Sequence, residues 1–200
     1  MELGFLANPK LYLASASPRR RELLSQIGVT FETLRVRVDE SLRSGESPQT
    51  YVTRLALAKA RAGWQQSALA LKLPVLGADT TVVCDGRIMG KPLDRTDGLA
   101  MLRHLSGKAH QVWSAVAIVQ AGREDSRTVV TEVYFRVLAE GEAEAYWQTG
   151  EPCDKAGAYG IQGYASIFVA RIEGSYSNVV GLPLMETAQL LAEFDVPIWN

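Results

Sequence analysis

Cysteine is scarce in this chain: there are two in 200 residues, Cys84 and Cys153, and neither has a CxxC spacing. That excludes a disulfide framework and a zinc site built on paired thiols. Both read as ordinary buried or half-buried thiols in a reducing compartment. An excess of charge is missing too. Lys and Arg number 21 against 22 Asp and Glu, a formal net charge of -1, so no basic field exists to hold a nucleic acid polymer. No apolar run approaches the ~18 residues of a membrane span. Met1 to Lys10 lacks a basic start followed by a long apolar stretch, so no signal peptide is expected and a cytoplasmic location is the default. The two commonest phosphate cradles are absent as well. No G-x-G-x-x-G follows the first predicted strand, which disfavours a dinucleotide-type fold, and no G-x-x-x-x-G-K-[ST] occurs anywhere.

What is present is a core-forming composition, 47% hydrophobic, enough for one sizeable domain or two small lobes. A short apolar strand from Leu11 runs into a helix start at Ser17-Pro18, and Leu23, Leu24 and Ile27 share a helical face before Gly28 stops it. Val29 to Val38 alternates as a strand. Ser47-Pro48 repeats the cap-and-proline start of a helix that continues to about Ala62. Pro74 to Cys84 reads as a buried strand, with a hairpin signal at Asp85-Gly86 before Arg87 to Met89. Thr96 to Leu105 is helical. Val112 to Gln120 and Val129 to Leu138 are β-branched, apolar and joined by a polar Gly-containing connection, so they should pair antiparallel. Glu140 to Gln148 is a short helix, Ser166 to Ile172 a strand, and Pro183 to Phe194 a closing amphipathic helix. Ser175 to Pro183 reads as a loop, a buried strand and a helix start. This order predicts an α/β fold with a mixed, largely antiparallel-centred sheet flanked by helices.

Arg19-Arg20-Arg21 follows the Ser17-Pro18 helix start, where the positive end of the helix dipole disfavours cations by roughly 0.3–1 kcal/mol each. Arginine runs are more often solvated surface, but a capped helix start just after a strand is a ready anion site. Successive helical residues point about 100° apart, so Arg19 and Arg20 are assigned to a phosphate and Arg21 to solvent. Gly77-Ala78-Asp79-Thr80 interrupts an apolar strand with a carboxylate. An unpaired buried charge is costly, so Asp79 must stand at an open strand end, pair with a cation or bind a metal. Asp39-Glu40 is a second acidic pair, and Lys59 and Lys91 are cations on separate elements. Mg²⁺ takes one or two carboxylates plus substrate phosphates, a demand that Glu40 and Asp79 meet if the fold joins them. The glycine-rich stretch Asp154 to Gly163 permits close backbone approach, and the Gln162 amide suits a nucleobase edge. His104 and His110 sit in no catalytic pattern and are read as structural.

Taken together, Leu13 to Arg20, Gly77 to Thr80, Gly90-Lys91-Pro92, Leu105-Ser106-Gly107, Asp154 to Gly163 and Asn178 to Pro183 resemble the motifs of the Maf family of nucleoside triphosphate pyrophosphatases. The resemblance spans Leu11 to about Leu191. It implies a Maf/ITPase-like fold, a single domain over residues 1–200 with two lobes around a central cleft. It also implies hydrolysis of a nucleoside triphosphate to the monophosphate and pyrophosphate with a divalent cation, Mg²⁺ or Mn²⁺. Three positions separate the subfamilies. Arg19, Thr80 and Gln162 match the branch acting on dTTP and UTP, whereas the 7-methyl-GTP branch typically carries Trp, Gln and Glu there. By the same resemblance Asp79 is the proton acceptor. Ser15, Arg19, Arg20, Lys59 and Lys91 are then assigned to phosphate charge, Glu40 and Asp79 to metal and water, and Thr80 with Gln162 to the base. The alternatives are a pyrophosphatase directed at other or modified nucleotides and a nucleotide-binding regulator of septum formation. A homodimer is the default assembly.

Overall fold

The computed structural model describes residues 8–67 and 72–199. Residues 1–7, on which the expectation about a leader partly rests, lie outside that range. β1 (Leu11–Ala14) is buried throughout and leads into α1 (Pro18–Gln26), with Pro18 in its first turn. Proline suits that turn because its missing N–H is one the helix leaves unpaired. Ser17 occupies the N-cap position, but its side chain makes no capping bond; its N–H instead donates to Ser15 Oγ at 3.2 Å. β2 (Phe31–Thr33) is shorter than the alternation predicts. The chain beyond it stays extended only to lay Leu34 and Val36 on Tyr12, Ala14 and Val75, after a last bond from Leu34 N–H to Leu13 O.

The chain continues through α2 (Pro48–Ser67), β3 (Val75–Cys84), β4 (Arg87–Met89), α3 (Arg95–Leu105), β5 (Ala109–Gln120), β6 (Arg123–Phe135) and α4 (Glu142–Gln148). Three short 3₁₀ turns precede β7 (Val169–Glu173), α5 (Tyr176–Val180) and α6 (Leu184–Glu193). Three expectations are corrected here: the strand expected from Ser166 starts only at Val169, because Tyr164–Phe168 winds into a 3₁₀ turn, and two others concern β6 and α5. β6 begins at Arg123 because the hairpin loop is only Ala121-Gly122, whose φ values of 47° and 83° are the positive pair a type I′ turn needs. The predicted buried strand within Ser175 to Pro183 is instead α5. Ser175 caps it by accepting the Asn178 N–H at 3.2 Å, which overrides the β preference of Val179-Val180, and Gly181 ends it with φ of 124°. Both cysteines are free; Cys84 is buried and Cys153 is exposed, more open than expected.

The seven strands form one mixed sheet in the order β2-β1-β3-β5-β6-β7, with β4 paired to β3. β2, β1 and β3 run parallel, whereas β3, β5, β6 and β7 are antiparallel. α2 lays Val52, Ala56 and Ala60 on Ala115 and Ala117 of one face. α1 and α6 cover the other, with Leu23, Leu24, Leu190 and Leu191 on Leu76, Ala78, Val116 and Ile118. A further cluster joins α3 and α4 to the far ends of β3, β5 and β6. No described helix is long and apolar enough to cross a membrane.

The feature that positions the site is a gap in the edge of β3. β5 covers one edge of β3 from Val75 to Val83. On the other edge β1 pairs only up to Ala14↔Gly77, and β4 only from Val82↔Met89. Ala78, Asp79, Thr80 and Thr81 therefore have no strand partner on that side among the described residues. α2 crosses close above, because Gly77 has no side chain. A Cβ there would stand 2.3 Å from the Ala56 carbonyl oxygen and 2.6 Å from the Ala60 nitrogen, both backbone atoms. Gly77→Ala must push the helix away, and we expect a loss of about 1–3 kcal/mol in unfolding free energy by urea titration. An unchanged midpoint would show that α2 does not depend on this approach.

Candidate active site

The gap opens into a cleft of about 870 Å³, within the range of small-molecule sites. Every residue assigned to phosphate, metal, proton transfer or base lines it. Ser15, Arg19 and Arg20 come from the β1–α1 junction, Asp79 and Thr80 from the unpartnered stretch of β3, and Lys59 from α2. Glu40, Lys91 and Gln162 arrive on three separate loops. Neither histidine lines the cleft. His110 is buried with Nε2 2.8 Å from the Tyr159 hydroxyl, and burial pushes it down to about 4, so the ring is neutral at physiological pH.

The three arginines diverge. Arg21 is exposed. Arg20 is buried, and its guanidinium is largely consumed by the protein. Nε donates to Gly181 O at 2.9 Å, Nη1 to Ala78 O at 2.8 Å and to Ser15 Oγ at 3.3 Å, and Nη2 to Thr80 Oγ1 at 3.0 Å. The Gly181 carbonyl stands just past α5, where the helix dipole favours a cation. Of the five N–H donors of a guanidinium, this leaves one on Nη2 for a ligand. Thr80 Oγ1 is likewise engaged, 2.8 Å from Ser114 Oγ as well as bonded to Arg20. Arg19 is more available: it is partly exposed, and its nearest acid, Asp154, stands 3.6 Å away. Lys91 is exposed.

Lys59 also differs from a free phosphate cation. Its ammonium stands 2.7 Å from Glu40 Oε1 and 2.7 Å from Asp79 Oδ1, bridging the two carboxylates. The carboxylates respond in opposite directions. Burial lifts Asp79 above its ordinary value, against the pull of Lys59 and Arg20. Glu40 is only partly desolvated, and the hydrogen bond and charge of Lys59, with Lys91 and Arg20 beyond, outweigh that and hold it below its ordinary value. The Glu40 loop is tied down from α2. Arg54 grips Glu46 with Nε at 2.6 Å and Nη2 at 2.7 Å and donates to Ser41 O, while the Tyr51 hydroxyl donates to Glu40 O at 3.0 Å.

Sequence reasoning did not single out Tyr51, Glu151 or Lys155 as site residues, although all three line the cleft. Lys155 stood within a quoted motif, but its task is local: Nζ donates to Glu151 O at 2.9 Å and to Asp154 Oδ1 at 2.6 Å. Gln162 is exposed at the mouth, on the loop between two of the 3₁₀ turns.

A family model described as Maf-like protein matches residues 10–194, nearly the whole chain. The chain belongs to the Maf family. Full-length relatives agree. A dTTP/UTP pyrophosphatase of Saccharophagus degradans is 54% identical over 95% of this chain and 91% of its own. Those of Alkalilimnicola ehrlichii (54%, 94% of each chain) and Hahella chejuensis (51%, 98% and 99%) carry the same name. Among solved structures, a nucleoside-triphosphatase / dITP/XTP pyrophosphatase of Mycobacterium abscessus is similar over 92% of this chain and 93% of that one, at 18% identity and TM-score 0.46.

The other grouping of metal-ligating side chains among the described residues of this Maf protein is Cys84, Asp85 and His104 at the β3–β4 hairpin. Lys108 already holds Asp85 there at 2.8 Å, and the group lies outside the cleft. The charge balance of the cleft itself rests on Lys59. Lys59→Met leaves Asp79 buried without its ammonium, so its carboxyl is lifted further. A carboxyl raised in the folded state contributes stability that is fully present below its unfolded pKa and lost as pH rises through the folded one. The variant should therefore be less stable than wild type by about 3 kcal/mol near neutral pH, with the gap closing as pH falls toward about 4. Urea unfolding at several pH values reads this directly, and a gap that does not change with pH would mean that Lys59 contributes packing rather than charge.

Proposed function

We propose that this Maf protein hydrolyses dTTP and UTP to the monophosphate and pyrophosphate. What supports the reading most is that all the sequence-assigned residues converge in one cleft, in a chain about half identical to relatives named for that activity. The cleft is long enough in chemistry to divide the substrate. Arg19, Lys91, Ser15 and the remaining N–H of Arg20 take the phosphates, with Arg19 also contributing to substrate choice; Gln162 meets the base, and Thr80, the other residue assigned to it, has its hydroxyl engaged by Arg20 and Ser114. The two packed clusters on either side are taken as the two lobes of one domain.

Asp79 is the general base, accepting the proton of the water that attacks at the α–β anhydride; the anhydride breaks and pyrophosphate leaves. A free aspartate, with a pKa of about 3.9, is a poor base near neutral pH, and burial of Asp79 moves it toward a usable value. Lys59 fixes that carboxylate and orients the oxygen it does not bind. Glu40 and Asp79 are the hard-oxygen pair that Mg²⁺ or Mn²⁺ prefers, and a divalent cation would be held by the oxygens that Lys59 leaves free on them. Such a cation would supply charge neutralisation on the phosphate oxygens.

Pyrophosphate release from a panel of nucleoside triphosphates tests the reading. dTTP and UTP should be the fastest substrates, and Asp79→Asn should lose about 10²–10⁴-fold in kcat while remaining folded. Faster turnover of purine triphosphates or 7-methyl-GTP would overturn the substrate assignment, and an active Asp79→Asn would overturn the base. Gln162→Glu should lower the preference for dTTP and UTP over the other bases; an unaltered preference removes Gln162 from base reading.

A further inference from the structure

Gln162 reaches the cleft from a short turn closed by the Gly163 N–H on Gly160 O at 3.1 Å, and an exposed amide selects a ligand only if that turn is itself held in place. Two side chains hold it. The Tyr146 hydroxyl, on α4, donates to Glu151 Oε1 at 2.7 Å and accepts the Gly160 N–H at 3.2 Å. The Glu151 carboxylate accepts the Tyr164 N–H at 2.9 Å on Oε2 and the Ala165 N–H at 3.4 Å on Oε1. Backbone N–H groups are thus gripped on both sides of Gln162, at Gly160 before it and at Tyr164 after it. The grip is close: a Cβ on Gly163 would stand 2.0 Å from Glu151 Oε2.

Both gripping residues are themselves anchored. Tyr146 is 4% exposed, and its ring meets Phe168 edge-on at 5.2 Å. Among the described residues no lysine or arginine pairs with the Glu151 carboxylate; Lys155 takes its backbone carbonyl instead. A carboxylate whose partners are amide N–H groups and one hydroxyl is organising backbone, through charge-assisted bonds roughly twice as strong as neutral ones. Neither side chain makes a hydrogen bond or ion pair with a residue assigned to phosphate or proton transfer among the described contacts.

We infer that Tyr146 and Glu151 form a clamp that positions Gln162 and so sets which base the cleft accepts. They are positioning residues, and the inference rests on the proposed reading of Gln162 as the base contact. Tyr146→Phe keeps the ring and removes the hydroxyl; Glu151→Gln keeps the shape but turns an NH₂ toward groups that need an acceptor.

Each variant should raise KM for the favoured triphosphates about tenfold with kcat within about twofold, and narrow the ratio between favoured and disfavoured bases. Inhibition by inorganic pyrophosphate should stay at the wild-type level, because the phosphate end does not depend on this loop. In a Gln162→Ala background Tyr146→Phe should cause no further loss of base preference. Amide hydrogen exchange should show Gly160, Tyr164 and Ala165 losing protection while β3 and β5 keep theirs. Independent multiplication of the Tyr146→Phe and Gln162→Ala effects, or unchanged protection of those amides, overturns the clamp. So does a uniform loss of kcat and pyrophosphate affinity, which is the mark of a generally loosened fold. A wild type that releases pyrophosphate from no nucleoside triphosphate sinks the functional reading instead, and amide exchange then decides the clamp alone.

Discussion

The cleft depends on one buried cation standing where a strand would otherwise be. β1 leaves the edge of β3 after Gly77, and an exposed sheet edge at that point would carry unpaired carbonyls. Arg20 takes over by donating to Ala78 O, while its other nitrogens reach Ser15, Thr80 and the Gly181 carbonyl beyond α5. Segments at opposite ends of the chain are thereby joined across a sheet that remains open. Burial disfavours the charged guanidinium and holds it below its ordinary value, and the Asp79 carboxylate offsets part of that. An apolar residue in the same place would close the gap by packing but would leave the carbonyls without donors.

The second constraint is that one ammonium serves two carboxylates. The close approach of α2 at Gly77 brings Lys59 over the sheet, so backbone packing decides an electrostatic arrangement. Glu40, Asp79 and Lys59 alone sum to one negative charge, and the Arg20 guanidinium that acts on both carboxylates brings the corner close to neutral. Arg19 and Lys91 add positive charge beside it, with Asp154 3.6 Å from Arg19. A balanced carboxylate corner next to cationic side chains suits a substrate whose phosphates bring their own negative charge. The opposite displacement of Asp79 and Glu40 also separates two otherwise similar carboxylates, and only the buried one is pushed toward a proton-accepting value.

Local signals carried much of this arrangement. The strand from Leu11, the Pro18 helix start, the long strand through Asp79 and the β5–β6 pairing all follow from proline chemistry and apolar patterning, which act within a few residues. Asp79 was legible because it punctuates an apolar strand, whereas Ser15, Lys59, Thr80 and Lys91 were gathered into one site by the resemblance to the family. The tasks of Arg20 and Lys59 were not legible. Arg20 meets Gly181 across 161 positions and Lys59 meets Asp79 across 20, and no local pattern specifies such partners. α5 was hidden because two valines outweigh a serine cap in any reading by propensity, whereas the cap is what the tertiary structure uses.

The division of labour within the cleft follows from the stiffness of what carries each part. The carboxylate assigned to proton transfer sits on the long strand, paired along its other edge by β5 and overlaid by α2, so its position is set by the core. Gln162 sits on a turn closed by one backbone bond and held against the rest of the molecule by side chains from outside the sheet. On the proposed roles, base choice can be altered by changing loop contacts without disturbing the strand assigned to proton transfer. A strand fixed by the core and a turn held separately thus let the two tasks proposed for the cleft be changed one at a time.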